Sequence, residues 1–513
     1  MSEKKQRSNW ASRSTFILAA VGSAVGLGNA WRFPGLCAKY GGGAFLLVYL
    51  ITMLILGIPL LMMEIAIGRK MKKGAPEALR GMNKKFEPIG WAATSNAFVI
   101  EIYYSVVFAW VILMSFAAIK YFPSMTGNSE AASGLFYSLI QLDDTFSNYS
   151  IPPLVLICVL IAWGLIYYCI RNGVHSVGKV VKYTVLLPII FLLILAVKGL
   201  TMDGAMNGIK ALFIPDFSAL GNSALWIDAI GQVFYSLSIM MAIMIAYGSY
   251  LGDDQNIATD AVIIAFSDMA ISVLAGVVMF TTMYGVGKTT GDMSASGIGT
   301  AFVIYPTAIV NLTNSGIVNG IFGVVFYLCL VTLAIDSAFS IVEGVSTAVS
   351  DKFKLKNKKT TLTICIISAV LSLIFATRCG LVWLDIVDNW ANMYNLVFIG
   401  ILEAIAIGWF FKPQKVLDEI NKNANKFKMP KWWFISTLKY IAPILLSVMF
   451  IWNLVTLFTK QNGVYGGYPL WTNIAGGWII TALVFASGFI VKAIVKAKKK
   501  KGFVEEEPVW KDN

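Results

Sequence analysis

The chain has 513 residues, 57% of them hydrophobic and only 13% charged, with a formal net charge of +13. Mean hydropathy is +0.71. No soluble domain of this length carries so much apolar surface, so the composition describes an integral membrane protein and excludes a water-soluble enzyme. Twelve apolar segments are long enough to span a bilayer as helices. They lie near 15–36, 43–67, 91–119, 152–170, 180–200, 226–250, 259–286, 317–350, 361–378, 383–411, 436–458 and 474–495.

The first segment carries Ala24-Val25-Gly26-Leu27-Gly28-Asn29 at its centre. Glycine costs about 1 kcal/mol in a helix interior, so the pair invites the backbone to unwind there. Unwound backbone at membrane depth is tolerated only where it lines a cavity or is buried in protein. It frees N–H and C=O groups that can hold an ion or a small charged molecule, and Asn29 adds a side-chain oxygen beside them. The same small residues also suit a helix-packing face, so the glycines alone leave both readings open. The sixth segment is interrupted too, by Gln232, Tyr235, Ser236 and Ser238. Interrupted spans at matching positions of two halves point to a transporter binding site.

The positive charge is a topology signal. Lys and Arg cluster in alternate connections: Lys4 to Arg13, Arg69 to Lys85, Arg171 to Lys182, Lys352 to Lys359, Lys412 to Lys431 and Lys496 to Lys501. The connection 121–150 carries Glu130, Asp143 and Asp144 instead. This alternation places both termini in the cytoplasm and the protein in the plasma membrane, with an even number of spans. Only the acidic stretch Leu251 to Asp260 breaks the pattern. No small-residue cleavage site follows the first span, which is read as retained.

Six cysteines are scattered, with no CxxC pair, and His175 is the only histidine. These counts leave no imidazole metal site and no Ser-His-Asp triad. No Walker loop is present, so nucleotide-driven pumping within the chain is not expected. The connections are too short for a second core, so residues 1–513 are read as one membrane domain that is not an enzyme.

Intramembrane carboxylates are costly in lipid and are functional candidates. Glu64, Glu101, Asp268, Asp336 and Asp388 qualify. Glu64, close to Arg69, also suits a structural ion pair. Asp336 is followed by Ser337 deep in the eighth segment, a donor set that suits a hard cation. Sodium fits better than a divalent ion, which would want more carboxylates.

Six stretches together resemble the neurotransmitter:sodium symporter family, of the bacterial leucine-transporter type. They are Trp10 to Arg13, Gly22 to Pro34, Gly41 to Phe45, Gly231 to Ser238, Gly299 to Pro306 and Leu333 to Gly344. The resemblance runs from Arg7 to the last span. It implies an all-α fold of about twelve transmembrane helices, with an inverted five-helix repeat and broken first and sixth helices. The implied organisation is a cytoplasmic N-terminus (1–14), a first repeat (15–200), an inverted second repeat (226–411), two additional helices (436–495) and a cytoplasmic basic tail (496–513).

Two Na+ sites follow from the resemblance. The first comprises the Ala24 carbonyl, the Asn29 side chain, Ser236 and Asp268, where the family usually has Asn. The second comprises the Gly22, Val25 and Leu333 carbonyls with Asp336 and Ser337. The resemblance puts a substrate carboxylate on the backbone amides of Gly26, Leu27 and Gly28 and on Tyr104, and its ammonium near Ala24, Tyr235, Ser236 and Ser238. Ile100, Tyr104, Tyr235, Met241, Ser337 and Ile341 form the side-chain pocket. Relatives that carry amines have an acid where Gly26 stands, so an amino acid is expected, and the uncharged pocket favours a neutral, hydrophobic or aromatic one. An external gate pair is expected between Arg32 and Asp388, and a cytoplasmic pair between Arg7 and Asp351 with Trp10, Ser249 and Tyr250 around it.

Three departures stand out. The stretch Ser238-Ile239-Met240-Met241-Ala242 has no glycine where relatives often do. Glu101 lies one turn before Tyr104, either as a neutral acid, a proton-coupling group or the partner of another polar group. Asp268 puts a charge beside Tyr49, Gln232, Ser236 and Ser272, which match the family's chloride ligands, so chloride is not expected. The reading is a sodium-coupled amino-acid symporter with a small-molecule substrate, working in the lipid bilayer without nucleic acid. The alternative is a transporter-like amino-acid receptor or sensor that binds without transport.

Overall fold

The computed structural model describes residues 9–293, 296–425 and 427–510, and their regular structure is helical. The Ser12 hydroxyl accepts from the Thr15 N–H at 3.2 Å and so starts α1 (Arg13–Ala24). α1 and α2 (Gly28–Lys39) form one span bent by 52° at residues 25–27. α3 (Gly43–Met71) crosses back, and the short α4 (Ala75–Met82) leads into α5 (Lys84–Met125), whose apolar stretch is almost wholly buried. The connection 121–150 is not all loop. Asn128 caps α6 (Ser129–Ile140), which buries Ala132, Leu135, Phe136 and Ile140. α7 (Pro153–Ile170), α8 (Val174–Leu200) and α9 (Ala205–Phe213) complete the first half.

The second half opens with α10 (Ser223–Ser236), a break, and α11 (Ile243–Gly248). α12 (Ile257–Gly285), α13 (Gly297–Ile309), α14 (Gly316–Phe353), α15 (Asn357–Ser372) and α16 (Gly380–Phe410) follow. α17 (Pro413–Asn421) leads to α18 (Lys431–Gly467) and α19 (Leu470–Lys499). Among the described residues, nine helices are long and apolar enough to cross a bilayer, and the bent first pair makes ten. The other two expected spans fall short for simple reasons. The sixth is split into helices of 14 and 6 residues. α15 has 16 residues, about 24 Å of helix against a hydrocarbon layer of about 30 Å.

Buried side chains from both halves form one large core, with α5 and α14 packed along each other at its centre. The apolar stretches of α18 and α19 are only 22% and 17% buried, which makes them peripheral, lipid-facing additions. α3 and α11 approach so closely that Gly68 sits on the Ile245 carbonyl and Gly248 on the Ile65 carbonyl, where a Cβ would clash. This contact seats the second half of the broken sixth span.

The basic connections converge on one face and bring the acidic 251–260 stretch with them. Arg13 pairs with Asp260 at 2.6 Å and Lys72 with Asp253 at 3.2 Å. The stretch that broke the charge pattern is therefore compensated locally. The tail is basic only to Lys501. Glu505, Glu506 and Glu507 then turn back onto the same face. Lys352 Nζ lies 2.9 Å from Glu77, 2.6 Å from Glu505 and beside Glu87. The Trp510 backbone N–H donates to the Gly81 carbonyl at 2.9 Å, and its ring packs on Phe411.

Burial works against the charge on Glu505. Hydrogen bonds from Lys352 and Lys499, with the Lys352 and Arg80 charges, outweigh it and hold the carboxyl down at about 2. A lowered carboxyl stabilises the docked tail fully above its ordinary value of 4.5 and ceases to do so as pH falls towards 2. A spin label at Val509→Cys should therefore be immobile at pH 7 and gain mobility between those limits, and Glu505→Gln should free it already at pH 7. A label equally immobile in all three conditions would contradict this docking.

Candidate functional site

Polar side chains from four helices meet beside the two breaks. The Asn29 amide nitrogen, with two hydrogens to donate, lies 2.6 Å from Asp268 Oδ1, 2.8 Å from Ser272 Oγ and 3.0 Å from Ser236 Oγ. Its oxygen accepts from the Gly26 N–H at 2.9 Å, which ties the cluster to the unwound backbone. Asp268 also accepts from Ser236 Oγ at 2.8 Å and from the Tyr49 hydroxyl at 3.1 Å. Gln232 is buried nearby on α10, and neither side-chain atom has a partner among the described residues. Asn29, Ser236 and Asp268 are thus brought together, and Tyr49 and Ser236 point their donors at the Asp268 carboxylate.

The sixth-span break runs over residues 237–242. Ser238, Met240 and Ala242 have φ of 52°, 63° and 62°, the left-handed region that L side chains rarely adopt. The break therefore forms without glycine, through strain of about 1–2 kcal/mol at each such residue. Specific contacts hold it. Glu64 Oε1 accepts from the Met240 N–H at 2.5 Å, and the Ser238 hydroxyl donates to the Ser23 carbonyl at 2.9 Å. The suggested Glu64–Arg69 pair does not form. Arg69 lies 2.7 Å from Glu419 and also donates to the Gln255 carbonyl, so Glu64 is left for the break.

Between the breaks lies a narrow cavity of about 20 Å³. Ala24, Gly26, Ile100, Tyr104, Tyr235, Ser238, Met241, Ser337 and Ile341 line it, with Ser23 and Asn29. No charged side chain lines it. A Cβ on Gly26 would lie 2.6 Å from Ser337 Oγ, and one on Gly28 would lie 2.8 Å from the Tyr235 ring. Leu27, Gly28 and Ser236 stand behind the wall. Ser236 is turned away because its hydroxyl serves Asp268. The Tyr104 hydroxyl is buried without a partner among the described residues. Ser23 was not singled out by sequence. Its carbonyl receives the Ser238 and Ser337 hydroxyls, and its own hydroxyl donates to Ser340 at 2.8 Å. The only signal for it was its place two residues before the break.

Asp336 is buried on α14, with Oδ1 unpartnered among the described residues. Gly22 faces its other oxygen, since a Cβ there would lie 2.6 Å from Asp336 Oδ2. Leu333 is buried one turn earlier on the same helix, and Val25 has extended backbone in the break. A buried carboxylate oxygen without a donor, on a helix packed against Gly22 just before the first-span break, fits a cation. Glu101 is also buried, and neither oxygen has a partner among the described residues.

A family model for the sodium:neurotransmitter symporter family matches residues 7–130 and 123–499. The chain belongs to this family. An uncharacterised sodium-dependent transporter of Methanocaldococcus jannaschii is 36% identical over 96% of this chain and 98% of its own length. The human sodium- and chloride-dependent GABA transporter 2 is 28% identical, with 93% of this chain and 84% of that protein covered. The crystal structure of MhsT in complex with L-phenylalanine superposes with a TM-score of 0.74 at 29% identity, covering 87% of this chain and 99% of MhsT. The protein is a sodium-dependent, multi-pass membrane transporter of the symporter family.

The expected gates are only partly assembled. Tyr104 and Tyr235 line both the small cavity and an outer cavity of about 260 Å³, so they partition the two. Arg32 and Asp388 both line the outer cavity but form no ion pair. Arg32 lies 6.0 Å over the Tyr235 ring, and Asp388 accepts from the Tyr103 hydroxyl at 2.7 Å and from Asn392 at 2.8 Å. Local neutral donors satisfy the carboxylate, so it does not need the guanidinium. On the opposite face Arg7 lies outside the described residues. Asp351 accepts from the Gly74 N–H at 2.7 Å. Trp10 is buried against Tyr247 and Tyr250, donating to the Tyr247 carbonyl at 3.0 Å. Tyr250 donates to Glu343 at 2.6 Å, and Ser249 bonds back to the Ala246 carbonyl.

The strain in the break has a measurable consequence. Ala242→Gly removes a left-handed Cβ without removing a hydrogen bond. It should stabilise this conformation by about 1 kcal/mol, seen as a higher thermal unfolding midpoint of the purified protein. An unchanged or lower midpoint would show that the left-handed backbone at Ala242 carries no strain.

Proposed function

We propose that the chain imports a neutral, hydrophobic or aromatic α-amino acid together with Na+, independently of chloride, by alternating access. The observation that carries this reading is the cavity wall. It offers no charged side chain, yet exposes unwound backbone at Gly26 and a buried, unpartnered Tyr104 hydroxyl. Such a wall suits a ligand that brings both its own charges. A substrate carboxylate satisfies the Tyr104 hydroxyl and the backbone N–H groups of residues 26–28, while carbonyls at the breaks receive the ammonium. An aspartate in place of Gly26 would meet Ser337 Oγ. The L-phenylalanine held by MhsT supports a hydrophobic or aromatic side chain.

Two sodium sites are part of the proposal. One comprises Asn29, Ser236 and Asp268 with the Ala24 carbonyl. The other comprises Asp336 and Ser337 with carbonyls of Gly22, Val25 and Leu333. The sodium gradient and membrane potential drive uptake, with about 2.3 kcal/mol available per charge per 100 mV. Both termini are assigned to the cytoplasm because the basic connections share one face. Arg32 and Asp388 serve as the outer gate, and Arg7, Trp10, Tyr250 and Asp351 as the inner one. The domain limits proposed are those of the two repeats, 15–200 and 226–411.

Uptake into proteoliposomes tests the substrate. Leucine- or phenylalanine-like amino acids should enter only with an inward sodium gradient, and their decarboxylated amines should not compete. Asp336→Ala should abolish the sodium dependence. Equal competition by the amine would refute the role given to Gly26.

Chloride gives a second test. Two anions about 4 Å apart repel by roughly 4 kcal/mol at an effective dielectric near 20, or about a thousandfold in binding. The Asp268 carboxylate already takes up the Tyr49 and Ser236 donors. Wild-type uptake should therefore be equal in chloride and gluconate. Asp268→Asn should become chloride-dependent, because the donors are released and the charge is gone. Wild-type transport that fails in gluconate would sink the idea, and a variant indifferent to chloride would show that these residues make no anion site.

A further inference from the structure

The largest cavity described, about 720 Å³, is nowhere near the breaks. It lies between α5, α14 and α15 around the 354–356 connection and the first turn of α15, on the basic face of the molecule. Its inner wall is apolar and buried, with Trp91, Val345 and Ile364 among the lining. Its mouth opens at the perimeter, where Leu355 and Ile367 are 49% and 47% exposed. The volume falls in the range of ligand sites.

The rim is unusual in charge. Lys354, Lys356 and Lys359 line it, and none of its fourteen lining residues is acidic. Lys354 is 3.9 Å from Glu506, whereas Lys356 and Lys359 form no ion pair among the described residues. On the same face Lys352, Lys73 and Lys84 are matched by carboxylates, while Lys85, Lys179 and Lys182, like Lys356 and Lys359, form no ion pair among the described residues. Here an apolar slot with a one-sided cationic mouth is left at the depth where a helix meets the membrane surface.

We propose that this groove binds an anionic phospholipid, its acyl chain against Trp91, Phe98 and Ile364 and its phosphate on Lys356 and Lys359. The occupant is argued from charge complementarity. A zwitterionic lipid brings a choline or amine towards the same lysines and gains nothing from them. An apolar peptide fills the slot but leaves the cationic mouth unanswered. Basic pockets between spans on the cytoplasmic side attract anionic head groups, each lysine contributing about fivefold in affinity. The inference rests on the orientation proposed above, which puts this connection on the cytoplasmic side. Val345 and Val349 belong to α14, which also carries Asp336 and Ser337, so an occupant of the groove touches a helix of the proposed transport site.

Native mass spectrometry of the detergent-purified full chain, titrated with phosphatidylglycerol or phosphatidylcholine of equal acyl chains, tests it. Phosphatidylglycerol should bind at least tenfold more tightly (order of magnitude). The exposed double substitution Lys356→Gln/Lys359→Gln should lose about thirtyfold for phosphatidylglycerol and leave phosphatidylcholine unchanged. Thr363→Trp, which fills the groove, should lose the tight phosphatidylglycerol binding as well. Soluble glycerol phosphate should not compete. Equal affinity for the two lipids, an unaffected double variant, retained binding in Thr363→Trp, or displacement by glycerol phosphate would each overturn the site. The readout requires no transport. Failed sodium-dependent uptake with intact lipid selectivity would count against the symporter reading alone, and the converse against the lipid site alone.

Discussion

Two helices broken at the same depth are the constraint on which the rest of the structure depends. A broken helix frees backbone N–H and C=O groups where no bulk water can satisfy them. The molecule answers each break with a specific partner. Asn29 bonds the Gly26 N–H, Glu64 bonds the Met240 N–H, and the Ser238 hydroxyl reaches the Ser23 carbonyl. The last contact joins the two breaks directly. Among the described residues, the groups left unsatisfied near the breaks include the Tyr104 hydroxyl, one oxygen each of Asp336 and Glu64, and the polar side-chain atoms of Gln232 and Glu101. On the proposed reading, Tyr104 and Asp336 hold the spare capacity for a carboxylate and a cation.

Asp268 is the second organising feature. A carboxylate among three donors from α2, α3 and α10 is a fixed internal anion. It also explains why Ser236 does not face the substrate cavity. One residue therefore sets the rotamer of its neighbour, the orientation of the Asn29 amide and the electrostatic sign of the cluster. A neutral residue in its place would leave the same donors in search of an anion.

Most of the architecture was legible in the sequence because bilayer thickness imposes span lengths and lysine placement imposes sides. The Gly26–Gly28 break was legible for a similar reason, since glycine states its own conformational cost. The sixth-span break was visible only through its polar residues. Its left-handed backbone at Ser238, Met240 and Ala242 is imposed by tertiary contacts, and no propensity reports that. In this structure competition decides the pairings. Arg69 went to Glu419 instead of Glu64, and Asp388 to Tyr103 and Asn392 instead of Arg32. Proximity in a family pattern names the candidates, but the nearest satisfied donor chooses between them. The turned-back tail was written in Glu505, Glu506 and Glu507, yet the face that receives them exists only once 69–85 and 352–359 are brought together.

Strain gives the site its mechanical character. Each left-handed residue in the sixth-span break raises the energy of this conformation, and the Glu64 and Ser238 contacts hold it there. Glu64 stands on α3, whose Gly68 also seats α11 at van der Waals contact. The tether and the seat lie one helical turn apart on one rigid element. A rotation of α3 against α11 would then loosen both together, and the strained backbone would be free to relax. A glycine-rich break would be compliant at every angle and would transmit no such torque. Building the break from Ser, Met and Ala thus ties the shape of the cavity between the breaks to the packing of α3 against α11, a coupling that the proposed alternating access would use.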